Sequence, residues 1–277
     1  METLTVIKVG GKIVEDADSL DRLLDSFSQI PGNKVLVHGG GRSATKIAAS
    51  LGIETTMIGG RRITDSEMLK VVTMVYGGLV NKNIVAKLQA RGVNALGLTG
   101  ADMDVMRSVR RKPVLVKSDV AGTTDDIMVD YGFVGDVERC NGEMLSTLIQ
   151  KDIVPIMAPL THDGCGSLLN TNADTIAGET AKSLAPFFDV TLVYCFEKSG
   201  VLLDENDDDS VIPYINEESF TRYVADGVIS GGMIPKIENA LSSCKDGVSK
   251  VVITKAEHIG QNKGTVVGLA CSQDGVQ

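Results

Sequence analysis

Two strand-like segments near the N-terminus each end in glycines, and the first also carries a lysine. Residues 5–9 are mostly β-branched and apolar, with Lys8 near the end, and they run into Gly10 and Gly11. The second segment, 34–38, is followed by glycines at 39–41. Glycine lets backbone N–H groups approach a ligand closely, successive N–H groups form a nest for anions, and lysine adds a point charge. These residues indicate the binding and transfer of a phosphoryl group.

Polar residues crowd the start of a predicted helix further along the chain. Asn170, Thr171, Asn172 and Asp174 fill four of five consecutive positions. A helix N-cap alone explains one of these residues, or two at most. An asparagine amide can donate to a carboxylate, and Asp174 could hold two ammonium groups in place.

Two further glycine turns carry cations. Gly231 and Gly232 precede a predicted helix with Lys236 in its first turn, where a cation opposes the helix dipole. Arg61 and Arg62 follow a glycine pair just before another helix, and arginine binds carboxylates by a bidentate fork. An ordinary basic loop explains these two arginines equally well.

Known phosphate-binding templates leave a second interpretation open. The chain contains no G-x-x-x-x-G-K-[ST] motif. Gly39-x-Gly41-x-x-Ala44 fits the loose dinucleotide fingerprint, which also needs an acid about 20 residues further on, at the end of the next strand. Glu54 and Asp65 are the nearest acids, and neither ends a convincing strand. Nicotinamide-dinucleotide binding is therefore the weaker alternative.

Strand-like runs alternate with amphipathic helical stretches, which predicts an α/β fold with a mainly parallel central sheet covered by helices. Residues 102–135 carry short β-rich pieces and predict an excursion of β-hairpins. Thr64 to Glu67 reads as a capping box with Thr64 as the N-cap, opening a long helix that reaches about residue 88. No linker divides the chain.

Composition excludes several classes of protein. The chain has 277 residues and a formal net charge of −9, which argues against nucleic acid as a partner. No apolar run approaches the ~20 residues of a membrane helix, and no signal peptide is apparent. The five cysteines are scattered without C-x-x-C spacing, so a disulfide framework or a zinc site is not expected, and a reducing cytoplasm fits best.

Taken together, five motifs resemble the amino acid kinase family, and within it the acylglutamate kinases. They are K-x-G-G at 8–11, H-G-G-G at 38–41, G-x-R-x-T at 60–64, N-x-N-A-D at 170–174 and G-G-M-I-P-K at 231–236. Each motif alone is weak, whereas five in the family's order and spacing are specific. The resemblance runs from about residue 5 to about residue 268. It implies a three-layer αβα sandwich.

The resemblance also implies an activity, the ATP-dependent phosphorylation of the γ-carboxylate of an N-acyl-L-glutamate in arginine biosynthesis. Lys8 and Lys236 would stabilise charge on the transferring phosphoryl group, and Asp174 would orient both lysines. The implied acceptor site comprises Gly40, Gly41, Arg62, Asn170 and Asn172. The implied ATP site comprises Gly10, Gly11, Glu197, Lys198, Ser199, Gly200, Val201, Leu202, Val228, Ile229 and Ser230. Mg²⁺ would arrive on ATP, so no metal site in the protein is expected.

The resemblance divides the chain into an acceptor-binding and dimerisation lobe, 1–172, and an ATP-binding lobe, 173–277, that share one sheet. Arginine-inhibited hexamers of the family carry an extra helix before the first strand. We therefore expect an arginine-insensitive homodimer, with the long helix from Asp65 as the dimer contact.

Two departures from the family pattern affect the expected ligands. Residues 197–201 read E-K-S-G-V where the family commonly has D-V-x-G-[IV], which weakens the assignment of the adenosine contacts. Arg61 replaces a common leucine, and Arg107, Arg110 and Arg111 add further positive charge. These arginines suggest an acyl group with its own carboxylate, such as succinyl, beside the usual acetyl.

Two alternatives remain from the sequence. A carbamate, aspartate or uridylate kinase would share the fold and differ in the acceptor. A non-catalytic ligand-binding protein is less compatible with the retention of both Lys8 and Lys236, because binding alone requires no charge at a developing transition state.

Overall fold

The computed structural model describes residues 1–117, 126–231, 233–261 and 263–269. Gly232, one of the two glycines before Lys236, lies outside the described residues. None of the described helices is long and apolar enough to cross a membrane.

The elements alternate as the sequence predicts. The strands are β1 (Thr3–Val9), β2 (Asn33–His38), β3 (Met57–Ile58), β4 (Arg61–Arg62), β5 (Ala95–Leu98), β6 (Met106–Arg110), β7 (Val114–Lys117), β8 (Asp126–Val129), β9 (Gly135–Cys140), β10 (Val154–Met157), β11 (Leu160–His162), β12 (Leu168–Asn170), β13 (Asp189–Phe196), β14 (Tyr214–Ile215), β15 (Lys250–Lys255) and β16 (Thr265–Val267). The helices are α1 (Gly11–Glu15), α2 (Ala17–Gln29), α3 (Gly41–Ser50), α4 (Ser66–Val72), α5 (Asn81–Gln89), α6 (Gly142–Ile149), α7 (Ala173–Leu184), α8 (Glu217–Ala225) and α9 (Met233–Lys245).

Eight strands form the central sheet, in the order β14-β16-β15-β13-β1-β2-β10-β5. The pairs are parallel except β15 with β16. Strands from before residue 172 and strands from after it lie side by side, joined where β1 pairs with β13. Both halves therefore share one sheet, and the division into two lobes at residue 172 stays a prediction.

Alternation along the strands builds two hydrophobic layers. On β1, Leu4 and Val6 belong to one core cluster, together with residues of α6, α7 and α9. Ile7 and Val9 belong to the other cluster, with residues of α2 and of the helix from Ser66. Side chains of successive strand residues point to opposite faces, so the sheet is covered by helices on both sides. The α/β three-layer prediction is confirmed.

The segment between residues 102 and 140 leaves the central sheet, as predicted. β7 and β8 pair antiparallel, and β6 pairs antiparallel with β9. β6 also pairs with β11 in parallel, which ties the excursion to a four-stranded sheet ordered β12-β11-β6-β9. This small sheet ends at Asn170, beside the predicted acceptor site.

The long helix after Arg62 begins differently from the prediction. Its N-cap is Asp65, whose carboxylate accepts from the backbone N–H of Met68 at 2.8 Å, so the proposed cap at Thr64 is wrong. The Thr64 hydroxyl bonds to the Arg62 carbonyl instead, and its backbone N–H donates to Tyr131. The helix continues to Gln89 through a π-helix, Thr73–Val80, placed between α4 and α5.

Candidate functional site

The two glycine turns face each other at one edge of the central sheet. β1 and β2 are parallel neighbours, so their carboxyl ends lie together. The Gly39 N–H donates to the Val9 carbonyl at 3.1 Å. A Cβ placed on Gly11 would lie 3.8 Å from the backbone nitrogens of both Gly40 and Gly41. The turns thus expose backbone nitrogens to each other, the arrangement expected of an anion cradle.

Gly40 is required by packing against the long helix. A Cβ at this position would lie only 2.8 Å from Cδ1 of Tyr76, a residue of the π-helix. Because Tyr76 is buried, its ring cannot move aside easily. The aromatic ring therefore packs directly against the second glycine turn and leaves no room for a side chain at position 40.

Lys8 forms an ion pair with Asp174 at this edge. The ammonium nitrogen lies 2.8 Å from Oδ1 of Asp174. Lys8 is the residue before the end of β1 and is buried, whereas Asp174 stands in the first turn of α7. The carboxylate therefore holds the Lys8 ammonium at the carboxyl edge of the sheet.

Lys236, from the first turn of α9, approaches the same place. Its ammonium lies 4.0 Å from the centroid of the Phe196 ring, and that of Lys8 lies 5.9 Å from the same centroid. Burial lowers the pKa of Lys236, and the charge of Lys8 adds to this, whereas Asp174 opposes it. Among the described residues Lys236 has no ion pair, so Asp174 contacts one lysine and influences the other electrostatically. The two ammonium groups share one cleft.

One side of the cleft is a cavity of about 190 Å³, lined by the second glycine turn, Arg62, Asn170 and Asn172, residues of the predicted acceptor site. Arg62 is buried and donates to the Gly41 carbonyl at 2.8 Å and to Thr45 Oγ1 at 2.9 Å. Its other terminal nitrogen donates to Thr55 Oγ1 at 3.2 Å. These bonds hold the guanidinium in a fixed orientation at the cavity wall.

The predicted asparagines have different partners. The amide of Asn170 donates to Thr64 Oγ1 at 2.9 Å. The side-chain oxygen of Asn172 caps α7, accepting from the N–H groups of Asp174 at 2.7 Å and Thr175 at 3.3 Å. Capping therefore accounts for the oxygen of Asn172, while its amide nitrogen is not used in the cap. Thr171 is buried against Thr161.

The other side of the cleft is a cavity of about 500 Å³, lined by Gly10, Gly11, Phe196 and Lys236. Its wall also includes three residues of the predicted ATP site, Glu197, Lys198 and Gly200. Glu197 lies 2.6 Å from the Lys12 ammonium, and that bond lowers the pKa of the carboxyl group. Lys198 pairs with Asp208 at 2.7 Å. Both pairs are solvent-exposed.

Six other predicted ATP-site residues do not line this cavity: Ser199, Val201, Leu202, Val228, Ile229 and Ser230. The side chains of Val201, Leu202 and Ile229 are buried in the protein. The backbone N–H of Val201 donates to Thr265 Oγ1 at 2.8 Å. These residues shape the loops behind the cavity wall, and their contact with ATP stays a prediction.

Three residues of the site escaped the sequence analysis. Phe196 ends β13 and faces both ammonium groups, Tyr76 supports Gly40, and Arg42 lines the larger cavity. Phe196 ends β13, which pairs with the strand that carries Lys8, and this pairing is long-range in the chain. The π-helix that places Tyr76 left no recognisable pattern in the sequence.

The arginines of the excursion do not line the smaller cavity. Arg107 pairs with Asp104 at 2.9 Å, Arg111 pairs with Asp136, and Arg110 donates to the Gly132 carbonyl at 2.8 Å. Arg61, in contrast, lines that cavity and has no ion pair among the described residues.

Two glycine turns and two ammonium groups at the carboxyl edge of a mainly parallel sheet define an α/β protein of the phosphoryl-transfer class. Residues 3–255 match the Amino acid kinase family, and the chain belongs to that family.

The chain is also similar to curated acetylglutamate kinases over nearly its whole length. It is 67% identical to that of Phocaeicola vulgatus over 266 residues, which cover 96% of this chain and 98% of that protein. It is 68% identical to that of Bacteroides thetaiotaomicron over 264 residues, covering 95% and 98%. It is 50% identical to that of Cytophaga hutchinsonii over 270 residues, covering 97% and 98%.

Solved structures share the fold. The structure of smu.665 from Streptococcus mutans superposes with a TM-score of 0.71 at 27% identity, covering 96% of this chain and 99% of that one. Giardia carbamate kinase gives a TM-score of 0.65 at 14% identity, covering 97% and 99%.

Proposed function

We propose that this protein transfers the γ-phosphoryl group of ATP to the γ-carboxylate of an N-acyl-L-glutamate. The observation that carries this proposal is that the ammonium groups of Lys8 and Lys236 lie near one ring, Phe196, which lines the larger of two cavities that share Gly41 in their walls. The smaller cavity, with Arg62 in its wall, fits an acidic acceptor, and the larger one fits a nucleotide. Similarity to acetylglutamate kinases along almost the whole chain supports the same activity.

The reaction needs charge neutralisation and positioning more than acid–base chemistry. A carboxylate oxygen of the acceptor attacks the γ-phosphorus of ATP, the bond to the β,γ-bridging oxygen breaks, and an acyl phosphate and ADP result. A carboxylate is already a competent nucleophile, so no general base is required. Lys8 and Lys236 stabilise the charge that develops on the phosphoryl oxygens, and Asp174 orients Lys8.

Magnesium belongs to this proposal as a companion of ATP. Among the described residues no group of three or more His, Cys, Asp or Glu side chains is placed to hold a metal ion. Mg²⁺ usually keeps several waters and binds through substrate phosphates, with only one or two protein carboxylates. In this protein, phosphate oxygens of ATP and water molecules would therefore supply most of the ligands of Mg²⁺.

The acyl group is the finer part of the proposal. Acetyl is favoured by the names of the curated relatives. Succinyl is the second candidate, and of the four arginines considered for it Arg61 alone lines the smaller cavity. Burial lowers the pKa of Arg61, and nearby Arg111 lowers it further. An additional carboxylate on the substrate would compensate this positive charge.

The test measures ADP release with ATP and a panel of acceptors: N-acetylglutamate, N-succinylglutamate, carbamate, aspartate and UMP. We expect turnover with an acylglutamate and none with the last three. Turnover of carbamate, aspartate or UMP alone would refute the acceptor assignment, and binding of ATP without turnover of any acceptor would favour a non-catalytic protein. For the acyl group, Arg61→Leu should lower kcat/KM for the succinyl substrate more than for the acetyl substrate.

We further propose that the protein is a cytoplasmic homodimer that associates through the long helix. Met74 and Leu79 of the π-helix are more than half exposed, although both are apolar. Burying them against a second copy would remove this apolar surface from water. Light scattering should give the mass of a dimer for the wild type and of a monomer for Leu79→Glu. A monomeric wild type would overturn this part of the proposal.

A further inference from the structure

His38, the first residue of the H-G-G-G motif, is fully buried and contacts two polar partners. Its Nδ1 lies 2.7 Å from the carbonyl oxygen of Gly39, and its Nε2 lies 3.1 Å from Nδ2 of Asn81. Asn81 is also fully buried and begins α5, directly after the π-helix. The reaction described above uses neither side chain.

The partners of Asn81 determine which of its atoms is the donor. Its Nδ2 lies 2.9 Å from the carbonyl oxygen of Ile156, and its Oδ1 accepts from the Lys82 ammonium at 3.1 Å. A carbonyl can only accept, so the nitrogen must face Ile156 and therefore also faces His38. An amide N–H group directed at Nε2 requires a lone pair there.

This arrangement selects one form of the imidazole. With a lone pair at Nε2, the proton of the neutral ring resides at Nδ1 and is donated to the Gly39 carbonyl. Burial lowers the pKa of His38 to about 4, and the nearby Lys82 ammonium also favours the neutral ring. Nδ1–H is thus the tautomer at neutral pH.

Fixing the Gly39 carbonyl also fixes the amide of Gly40. A trans peptide unit is planar, and its C=O and N–H groups point in opposite directions. With the carbonyl directed at the buried ring, the Gly40 N–H is directed away from it. In the part of the chain that the structure describes, this N–H has no hydrogen-bond partner, and it lies near the first glycine turn. It is free to meet a ligand.

We propose that His38 and Asn81 form a positioning pair that aims the Gly40 N–H at the transferring phosphoryl group. Asn81 selects the tautomer of His38, His38 orients the Gly39–Gly40 peptide, and Tyr76 supports the same turn from below. Glycine at 39 and 40 leaves the peptide free to rotate, so an external anchor is needed. This inference rests on the proposed phosphoryl transfer.

A purely structural histidine would explain the burial but not the direction of the peptide. In that case any substitution should cost activity only in proportion to lost stability. A positioning role instead predicts that the location of the replacement donor decides the outcome. Asparagine places its amide nitrogen where Nδ1 lies in histidine, whereas glutamine places its amide near Nε2.

The test compares His38→Asn with His38→Gln, two neutral variants that both leave space in the core. We expect His38→Asn to keep kcat within about fivefold of the wild type and His38→Gln to lower kcat by about 100-fold, because removing one hydrogen-bond donor to a developing negative charge lowers kcat by about 10²–10³-fold. KM for both substrates should change little. Unfolding free energies measured in parallel separate this effect from stability, and equal kcat losses in the two variants would overturn the proposal.

A second measurement does not depend on activity. Nitrogen-15 NMR of the wild type should show His38 neutral at pH 7 with its proton on Nδ1. Asn81→Asp replaces the donor with a carboxylate and should move the proton to Nε2 or charge the ring. A wild-type ring protonated at Nε2 would overturn the positioning pair even if the kinase is active. An inactive wild type with the expected tautomer would instead refute the proposed function.

Discussion

The two sides of the cleft, which we propose bind the acceptor and the nucleotide, differ in how their cations are held. On the acceptor side Arg62 is buried and makes three hydrogen bonds, to Gly41, Thr45 and Thr55. On the nucleotide side Lys236 has neither an ion pair nor a hydrogen bond among the described residues, and it rests over an aromatic ring. One side is fixed by hydrogen bonds before the substrate arrives, while the other keeps a positive charge without a direct counter-ion.

This difference indicates that the two sides of the site contribute differently to substrate binding and to turnover. An arginine held by three bonds pays little entropy to bind a carboxylate and provides directional recognition. An uncompensated ammonium in a partly buried site gains most when a negative charge develops beside it. We therefore expect acceptor-side changes to affect substrate binding and nucleotide-side changes to affect turnover.

The largest effect should follow from Lys236→Met. We expect kcat to fall by about 10³-fold, at the lower end of the effects of cationic groups in phosphoryl transfer, with KM for the acceptor nearly unchanged. Steady-state kinetics with both substrates measures this. Lys12→Met is the matched control, because Lys12 lines the same cavity but is already paired with Glu197. A higher KM for ATP with normal kcat would show that Lys236 only binds the ground state.

Arg62→Lys tests the acceptor side. We expect KM for the acylglutamate to rise about 30-fold with kcat changed far less, because an ammonium cannot reproduce the fork that holds a carboxylate in two-point contact. The KM for ATP should stay near the wild-type value. Arg61→Lys is the matched control, because Arg61 lines the same cavity but does not make the three hydrogen bonds that hold Arg62. A loss confined to kcat would contradict the proposed division of work.

The buried His38 should make stability depend on pH. Its pKa is lowered to about 4 in the folded protein from 6.5, so between these values the unfolded chain binds the extra proton. The stability that depends on a neutral His38 is fully present above pH 6.5 and is lost as the pH falls toward 4. Between pH 7 and pH 5 the free energy of unfolding should decrease by about 2 kcal/mol through this group. Denaturant titrations at both pH values measure the free energy of unfolding. In His38→Asn, the decrease in this free energy between pH 7 and pH 5 should be smaller by this amount. An unchanged decrease would mean that His38 is not buried as a neutral ring.

Much of the fold could be predicted because local patterns determine it. The strand-then-glycine pattern identified the turns after β1 and β2, because a β-branched run and the glycines that end it are adjacent in the chain. Thr64 was misassigned because its N–H donates to the carbonyl of Tyr131, which is distant in the chain. Long-range contacts of this kind leave no local pattern.

The site residues, like the fold, could be predicted where a local sequence pattern identifies them. Lys8, Asp174 and Arg62 could be identified because each stands in or beside a glycine or helix-start motif. The counter-ion of Arg111 could not, because Asp136 becomes its neighbour only when the small sheet forms, whereas Asp104, the partner of Arg107, lies three positions away in the chain and was overlooked. Sequence alone therefore overestimated the free positive charge near the acceptor.

The smallest effect should come from Lys198→Ala, on the exposed rim of the nucleotide side. Lys198 pairs with Asp208, and both side chains are more than half exposed, so water and salt screen their attraction. We expect no measurable change in Tm and less than a threefold change in kcat/KM for ATP, in line with the small value of exposed pairs. Thermal unfolding and ATP kinetics at low and high salt provide the measurement. If Lys198→Ala reduced turnover as strongly as Lys236→Met, the positive charge of the nucleotide side would be spread over its rim, and the contrast with the acceptor side would no longer rest on one half-buried ammonium.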